Sequence, residues 1–264
     1  MEEASFPRWM LLAAAGISLA VGTFWWTTTI RNETARPASL RDHDREWVIG
    51  SETPQAFSAE LPEELCATIR NTLRTGRLTI APEIAALLEN DETFARRRSA
   101  RPNTFRLRSA TTTALPAGRP QFRWTPVEGA TAYRIEISNV AQRPSVAKVE
   151  VPASALEWSP AQALEAGVLY EWRVAALRGE AVVAKAPNTS EAKARFRILN
   201  ESERQEWDRA RAAVGESNLL RGIVAARAGL LDEAAEEFRA LGRQNPRAER
   251  ARLFLEQVET AGAR

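Results

Sequence analysis

Residues 9–30, WMLLAAAGISLAVGTFWWTTTI, contain no charged side chain, and Arg8 and Arg31 close the run at its two ends. Coiled at about 1.5 Å per residue, the run is about 33 Å long, which matches a hydrocarbon core of about 30 Å. Trp9 stands at one end, with Trp25 and Trp26 at the other. Indoles there would settle at the two membrane–water interfaces. The run therefore predicts a transmembrane helix in contact with lipid through residues 9–30. Ala20-Val21-Gly22 has the look of a cleavage site, but the short tail 1–8 holds two Glu against one Arg, which is poor for a secretory leader. A retained anchor is expected. Arg31, Arg36, Arg41 and Arg45 follow the run and only Arg8 precedes it, a bias that favours a cytoplasmic body.

Residues 31–59 are polar and aperiodic, which predicts a juxtamembrane linker with a short ordered piece around Trp47, Val48 and Ile49. Asp42-His43-Asp44 resembles a ligand set. One His between two acids in a local loop does not readily converge on one ion, so a solvated loop is expected and no metal site. Residues 60–103 predict a short helical region and a basic linker. Pro62 suits a helix start, Leu65, Ile69 and Leu73 form one stripe, and Gly76 is a stop. Cys66 beside that stripe is expected to be a small core residue. A second helix starts at Pro82, and the run ARRRSARP, residues 95–102, reads as a solvated linker.

The period then changes from helical to two. Phe122 and Trp124, Tyr133 with Ile135 and Ile137, Tyr170 with Trp172 and Val174, and Phe196 with Ile198 each alternate with polar neighbours. Val149 with Val151, and Leu156 with Trp158, add two more strands. Seven or so short strands separated by turn signals predict an antiparallel sandwich over residues 104–199. From residue 200 the helical period returns and continues to 264. Trp207, Ala210, Arg211 and Val214 share one face of a first helix, and Leu253, Leu255 and Val258 mark a last one.

Two stretches resemble known families. FRWTPVEGATAYRIEISN with LEWSPAQALEAGVLYEWRVAAL resembles a fibronectin type III domain, with Trp124 and Tyr133 at its second- and third-strand aromatic positions. Leu164, six residues before Tyr170, matches that family's tyrosine corner, and Trp172 follows on the same strand. The Pro usual after Leu164 is missing, and the tail before Ile198 is extended. The resemblance implies adhesion, recognition or spacing and brings no catalytic residues. Residues 215–248 resemble one tetratricopeptide repeat, with Gly222, Gly229, Ala234, Phe238 and Pro246 at the signature positions. There Gly222 and Ala234 would admit close helix approach, Gly229 would end the first helix, Phe238 would fill the wedge and Pro246 would stop the second. A single repeat does not normally bury a continuous core, because solenoids need about three.

The expected fold class is thus multidomain α and β: an N-terminal transmembrane helix, a short helical region, an antiparallel β-sandwich of fibronectin type III type, and a C-terminal α-helical repeat-like cap. Hydrophobic residues at 44% and charged residues at 27% fit globular domains and exclude a wholly disordered chain. The lone Cys66 excludes an intrachain disulfide, and the lone His43 leaves little for His-based catalysis. Basic residues number 36 and acidic 34, so no nucleic-acid partner is expected. Residues 102–200 alone are basic, with 13 Lys and Arg against 8 Asp and Glu, which leaves a glycan or acidic contact open. Only Lys148, Lys185 and Lys193 are lysines, and this Arg bias, with many Ala, points to a GC-rich bacterium.

No nucleophile elbow, phosphate loop or dinucleotide fingerprint occurs, so neither an enzyme nor a cofactor is expected. The expected function is a non-enzymatic, membrane-anchored interaction or scaffold module of the bacterial cell envelope, with a protein partner. It would sit in the inner (cytoplasmic) membrane with its soluble part periplasmic, a cytoplasmic body being the alternative. A second expectation is a signalling regulator resembling the outer half of an anti-sigma factor, although only eight residues precede the apolar run. The third is a glycan-active hydrolase, which would need two facing carboxylates.

Overall fold

The computed structural model describes residues 38–51, 61–84, 105–142, 145–188 and 193–263. The chain divides into two compact units, Met1–Ala35 and Arg36–Arg264, and the first lies outside the described residues. The second holds two hydrophobic cores, one in a β-sandwich and one in a helical unit.

The sandwich is one continuous stretch. Its main sheet runs β3 (Thr113–Leu115), β10 (Ala194–Ile198), β8 (Leu169–Arg178), β5 (Ala132–Asn139) and β6 (Ser145–Pro152). The pairings are antiparallel except β3 with β10, which is parallel. β9 (Ala181–Ala186) also pairs with β8. β8 is long enough to serve two partners: β10 takes its first half at Leu169–Trp172, and β9 takes Val174–Arg178. Over it lies a small second sheet of β4 (Phe122–Arg123) and β7 (Glu157–Trp158), extended by a bridge from Leu107 to Trp124. Alternation along the strands turns one side chain in two inward. Phe122, Trp124, Tyr133, Ile135, Ile137, Tyr170, Trp172, Val174, Phe196 and Ile198 are all buried in this core. Phe122 packs against Trp172 and Phe196, with ring centroids 4.6 and 5.3 Å away.

The helical unit is assembled from both sides of the sandwich. C-terminal to it stand α2 (Glu201–Ala213), α3 (Asn218–Arg227), α4 (Leu231–Gln244) and α5 (Glu249–Ala263). N-terminal to it stand a hairpin of β1 (Ala38–Asp42) and β2 (Arg45–Ile49), then α1 (Glu63–Thr75). Leu40, Trp47 and Ile49 of the hairpin and Leu65, Cys66, Ile69 and Leu73 of α1 are buried in the same cluster as Leu219, Ile223, Phe238 and Phe254. The ordered piece expected around Trp47 is β2, and it is half of a hairpin within the stretch read as linker. That supplies the core a single repeat lacks.

The expected fold class is corrected in one respect. The second unit mixes sheets and helices, but among the described residues no helix is long and apolar enough to cross a membrane. The described helices run 10 to 15 residues and are charged on their outer faces. Residues 9–30, with Trp9, Trp25 and Trp26, lie outside the described residues, as does the basic run 95–102. The transmembrane helix is therefore no part of the fold described.

Candidate functional site

The hairpin turn is the first piece of the site's frame. Asp42 is 1% exposed although charged. Its carboxylate accepts bonds from the Ser217 hydroxyl at 2.5 Å, the Asn218 N–H at 3.0 Å and the Leu219 N–H at 3.1 Å. The two N–H groups are among those a helix leaves unbonded at its start, and the hydroxyl belongs to the N-cap residue, so Asp42 caps α3 from 175 residues away. Its negative charge also meets the positive end of the α3 dipole. His43, at φ 57, turns the chain, and its Nε2 lies 3.2 Å from Asn218 Nδ2. Next to it, Arg41 and Asn245 exchange two bonds, backbone N–H to Oδ1 at 2.8 Å and Nδ2 to backbone carbonyl at 2.6 Å. The hairpin thus closes one end of the α3–α4 pair. Within Asp42-His43-Asp44, Asp42 and His43 clamp the start of α3 while Asp44 is exposed, and among the described residues no set of three or more His, Cys, Asp and Glu is placed to hold a metal.

The opposite end of α3–α4 is closed by the sandwich. The Thr113 hydroxyl accepts the Leu231 N–H at 2.8 Å, at the start of α4. The Ala114 N–H donates to the Gly229 carbonyl at 2.8 Å. Asp232 accepts the Ala110 N–H at 2.7 Å, while the Ala110 carbonyl takes Trp172 Nε1 at 2.8 Å. Burial raises the Asp232 carboxyl above its ordinary range, against the lowering effect of the Ala110 bond. Ala110 and Thr112 have φ of 54 and 105, a costly backbone for side chains with a β-carbon, held here by contacts on both sides.

The residues carrying the two resemblances fall as follows. Tyr170 is buried, and its hydroxyl accepts the Glu165 N–H at 2.9 Å, closing a tyrosine corner beside Leu164. The Tyr133 hydroxyl accepts the Val127 N–H at 2.9 Å, and Trp124 meets the Tyr133 ring edge-on. In the helical unit, a β-carbon at Gly222 would stand 2.5 Å from the Phe238 ring, so this glycine permits the α3–α4 approach. Gly229 has φ 77 and turns the chain between those helices. Ala234 and Phe238 are fully buried, and Pro246 is exposed after α4. Cys66 is buried in the α1 stripe.

Among the described residues, two clefts open on the helical unit. One, of about 160 Å³, has Leu65, Leu199, Trp207 and Val224 within and Glu206 and Arg227 at its rim. Ion pairs brace it: Arg197 with Glu203 at 2.9 Å and Arg227 with Glu64 at 2.7 Å. The other, of about 450 Å³, lies between α4 and α5, with Phe238, Gly242 and Leu255 at its floor and Arg239, Arg243, Arg247 and Arg252 around it. Neither was visible in the sequence. The first joins residues 65 to 228, and the second depends on the packing angle of two helices.

No family model matches the chain, and no curated protein matches it. Among solved structures it is similar to the fn3 domain of human collagen alpha-1(XX) chain, at 24% identity over 39% of this chain and 94% of that one, with a TM-score of 0.27.

Proposed function

We propose that the chain is a non-enzymatic protein-interaction or scaffold module of the bacterial cell envelope. The observation that carries this reading is the pair of open clefts on a helical unit that is hydrogen-bonded to the sandwich along Ala110–Ala114 and Gly229–Asp232. A sandwich so fixed acts as a mount. The clefts combine an apolar floor with a charged rim, the composition of a protein-recognition surface. α3 and α4 act as a tetratricopeptide-like hairpin, supported by the Gly222–Phe238 contact and the Gly229 turn. Placement at the inner membrane is proposed from the sequence of residues 9–30, and the periplasmic side for residues 38–263 from the fibronectin type III-like pattern of residues 104–199, against the Arg bias that follows residue 30.

Deleting residues 201–264 would be a poor test, because it strips the partners of Leu40, Trp47 and Ile69. A photo-crosslinking amino acid at Glu206, on the rim of the smaller cleft, is the better one, with the same residue at Lys148 on β6 as control. A discrete cross-linked protein from position 206 and none from 148 supports the reading. No product from 206, or the same products from both, sinks it.

A further inference from the structure

We propose that the cleft between α4 and α5 binds a carboxylate-rich segment of a partner protein. This rests on the interaction reading and adds the partner's chemistry.

Three features of the cleft go beyond what the fold requires. The first is its charge. Residues 201–264 hold 11 Lys and Arg against 12 Asp and Glu, so no excess of Arg forces a basic cluster. Yet Arg239, Arg243, Arg247 and Arg252 gather here, all exposed, with Glu249 the one carboxylate lining the cleft. Arg239 is engaged by Glu259 at 3.0 Å. Arg243, Arg247 and Arg252 have no ion-pair partner among the described residues.

The second feature is where two of these arginines stand. Arg243 lies in the last turn of α4, where a cation suits the helix dipole. Arg247 precedes α5 and Arg252 lies at its beginning, against the positive end of that dipole. Helix stability disfavours both positions. An anion in the cleft would offset that cost, because it would be attracted both by the guanidinium groups and by the α5 N-terminus.

The third feature is Gly242. It lies inside α4 without positive φ, and a β-carbon there would meet nothing within 4 Å. Neither turn geometry nor close packing calls for glycine, unlike at Gly222. Its missing side chain keeps the floor open between Phe238 and Leu255. An apolar floor ringed by guanidinium groups fits a peptide whose acidic side chains alternate with an apolar one. Its concavity favours a chain segment over a flat lipid surface.

The test uses the full chain in neutral detergent and a fluorescein-labelled peptide of Glu-Glu-Leu repeats, with Gln-Gln-Leu repeats as control. We expect about tenfold tighter binding of the acidic peptide, weakening as salt is raised. Arg243→Glu with Arg252→Glu, and separately Gly242→Leu, should each lose about tenfold at unchanged circular dichroism. Gly242→Ala, one methyl in open space, is the folding control. Equal binding of the two peptides, or binding indifferent to both cleft variants, overturns the proposal. So does a result in which the arginine variant loses binding only to vesicles of equal phosphatidylglycerol and phosphatidylcholine, which would assign the cluster to lipid. A cross-link at position 206 without charge-selective peptide binding overturns this assignment and leaves the interaction reading standing. Charge-selective binding lost in both cleft variants supports it whatever position 206 captures.

Discussion

The sandwich and the helical unit solve the same problem, burying enough apolar surface, in opposite ways. The sandwich draws its core from one unbroken stretch and fills it with rings: Phe105, Phe122, Trp124, Tyr133, Tyr170, Trp172 and Phe196. The helical unit draws on two stretches on either side of the sandwich, and its core is mostly Leu, Ile, Val and Ala. Its joints are polar groups placed at helix starts, Asp42 on α3 and Thr113 on α4. A contiguous aromatic core is expected to hold without the other unit. A divided aliphatic one depends on a few long-range hydrogen bonds to close it, and losing any of them leaves buried donors unsatisfied.

The largest test of this difference is to cut the chain into its two parts. Residues 104–199 expressed alone should unfold cooperatively, with near-ultraviolet dichroism from their packed rings. Residues 200–264 alone should show no sharp transition, because Leu40, Trp47, Ile49, Ile69 and Leu73 are missing from their core. Mixing in residues 36–84 should restore one. A sharp transition in the isolated C-terminal piece would break the comparison.

Asp42→Ala comes next. It removes the acceptor for Ser217, Asn218 and Leu219, and should cost the helical unit about 3 kcal/mol in denaturant unfolding, from a lost charged cap and buried donors left bare. A loss below about 1 kcal/mol would mean that water or Asn218 rearranges to replace the cap.

Asp232 tests the joint between the two regions. Asp232→Ala should cost about 1–3 kcal/mol by stranding the Ala110 N–H. Asp232→Asn keeps an acceptor and should cost less. The wild-type carboxyl is raised by burial, so the folded state holds its proton to higher pH than the unfolded chain does. As pH falls through that window the wild type gains stability relative to Asp232→Asn, and it loses the gain as pH rises. A stability difference between the two that is flat with pH would remove the buried carboxyl from the account.

The smallest effect expected is Gly242→Ala, which should stabilise by about 0.5–1 kcal/mol, since the new methyl meets nothing and the helix gains a better former. Destabilisation would mean that the cleft floor is more crowded than its geometry shows.

How legible each part was follows from the same contrast. Strand alternation is local, so Tyr133, Tyr170 and Trp172 declared their buried face, and the spacing of Leu164 and Tyr170 pointed to the corner that Glu165 closes. Small Gly222 was expected to admit a close helix approach, and a β-carbon there would stand 2.5 Å from the Phe238 ring. The hairpin was not. Leu40, Trp47 and Ile49 are too few to show a period, and Asp42 gives no sign in the sequence that its partners lie at 217–219. The arginine cleft was hidden for another reason: its members are spread over two helices and a loop within a segment of balanced charge. The split of the last strands into β9 and β10 was foreshadowed only as an extended tail.

The division of the helical core also sets an order in time. A ribosome adds about 5–20 residues per second, so on the order of ten seconds separate the emergence of α1 from that of α3 and α4. During that interval the sandwich can complete itself, while Trp47, Ile49 and Ile69 wait without the surface that will cover them. The nascent chain therefore carries a sticky, half-finished patch for most of its synthesis. That patch is covered only when the C-terminal helices arrive to claim it.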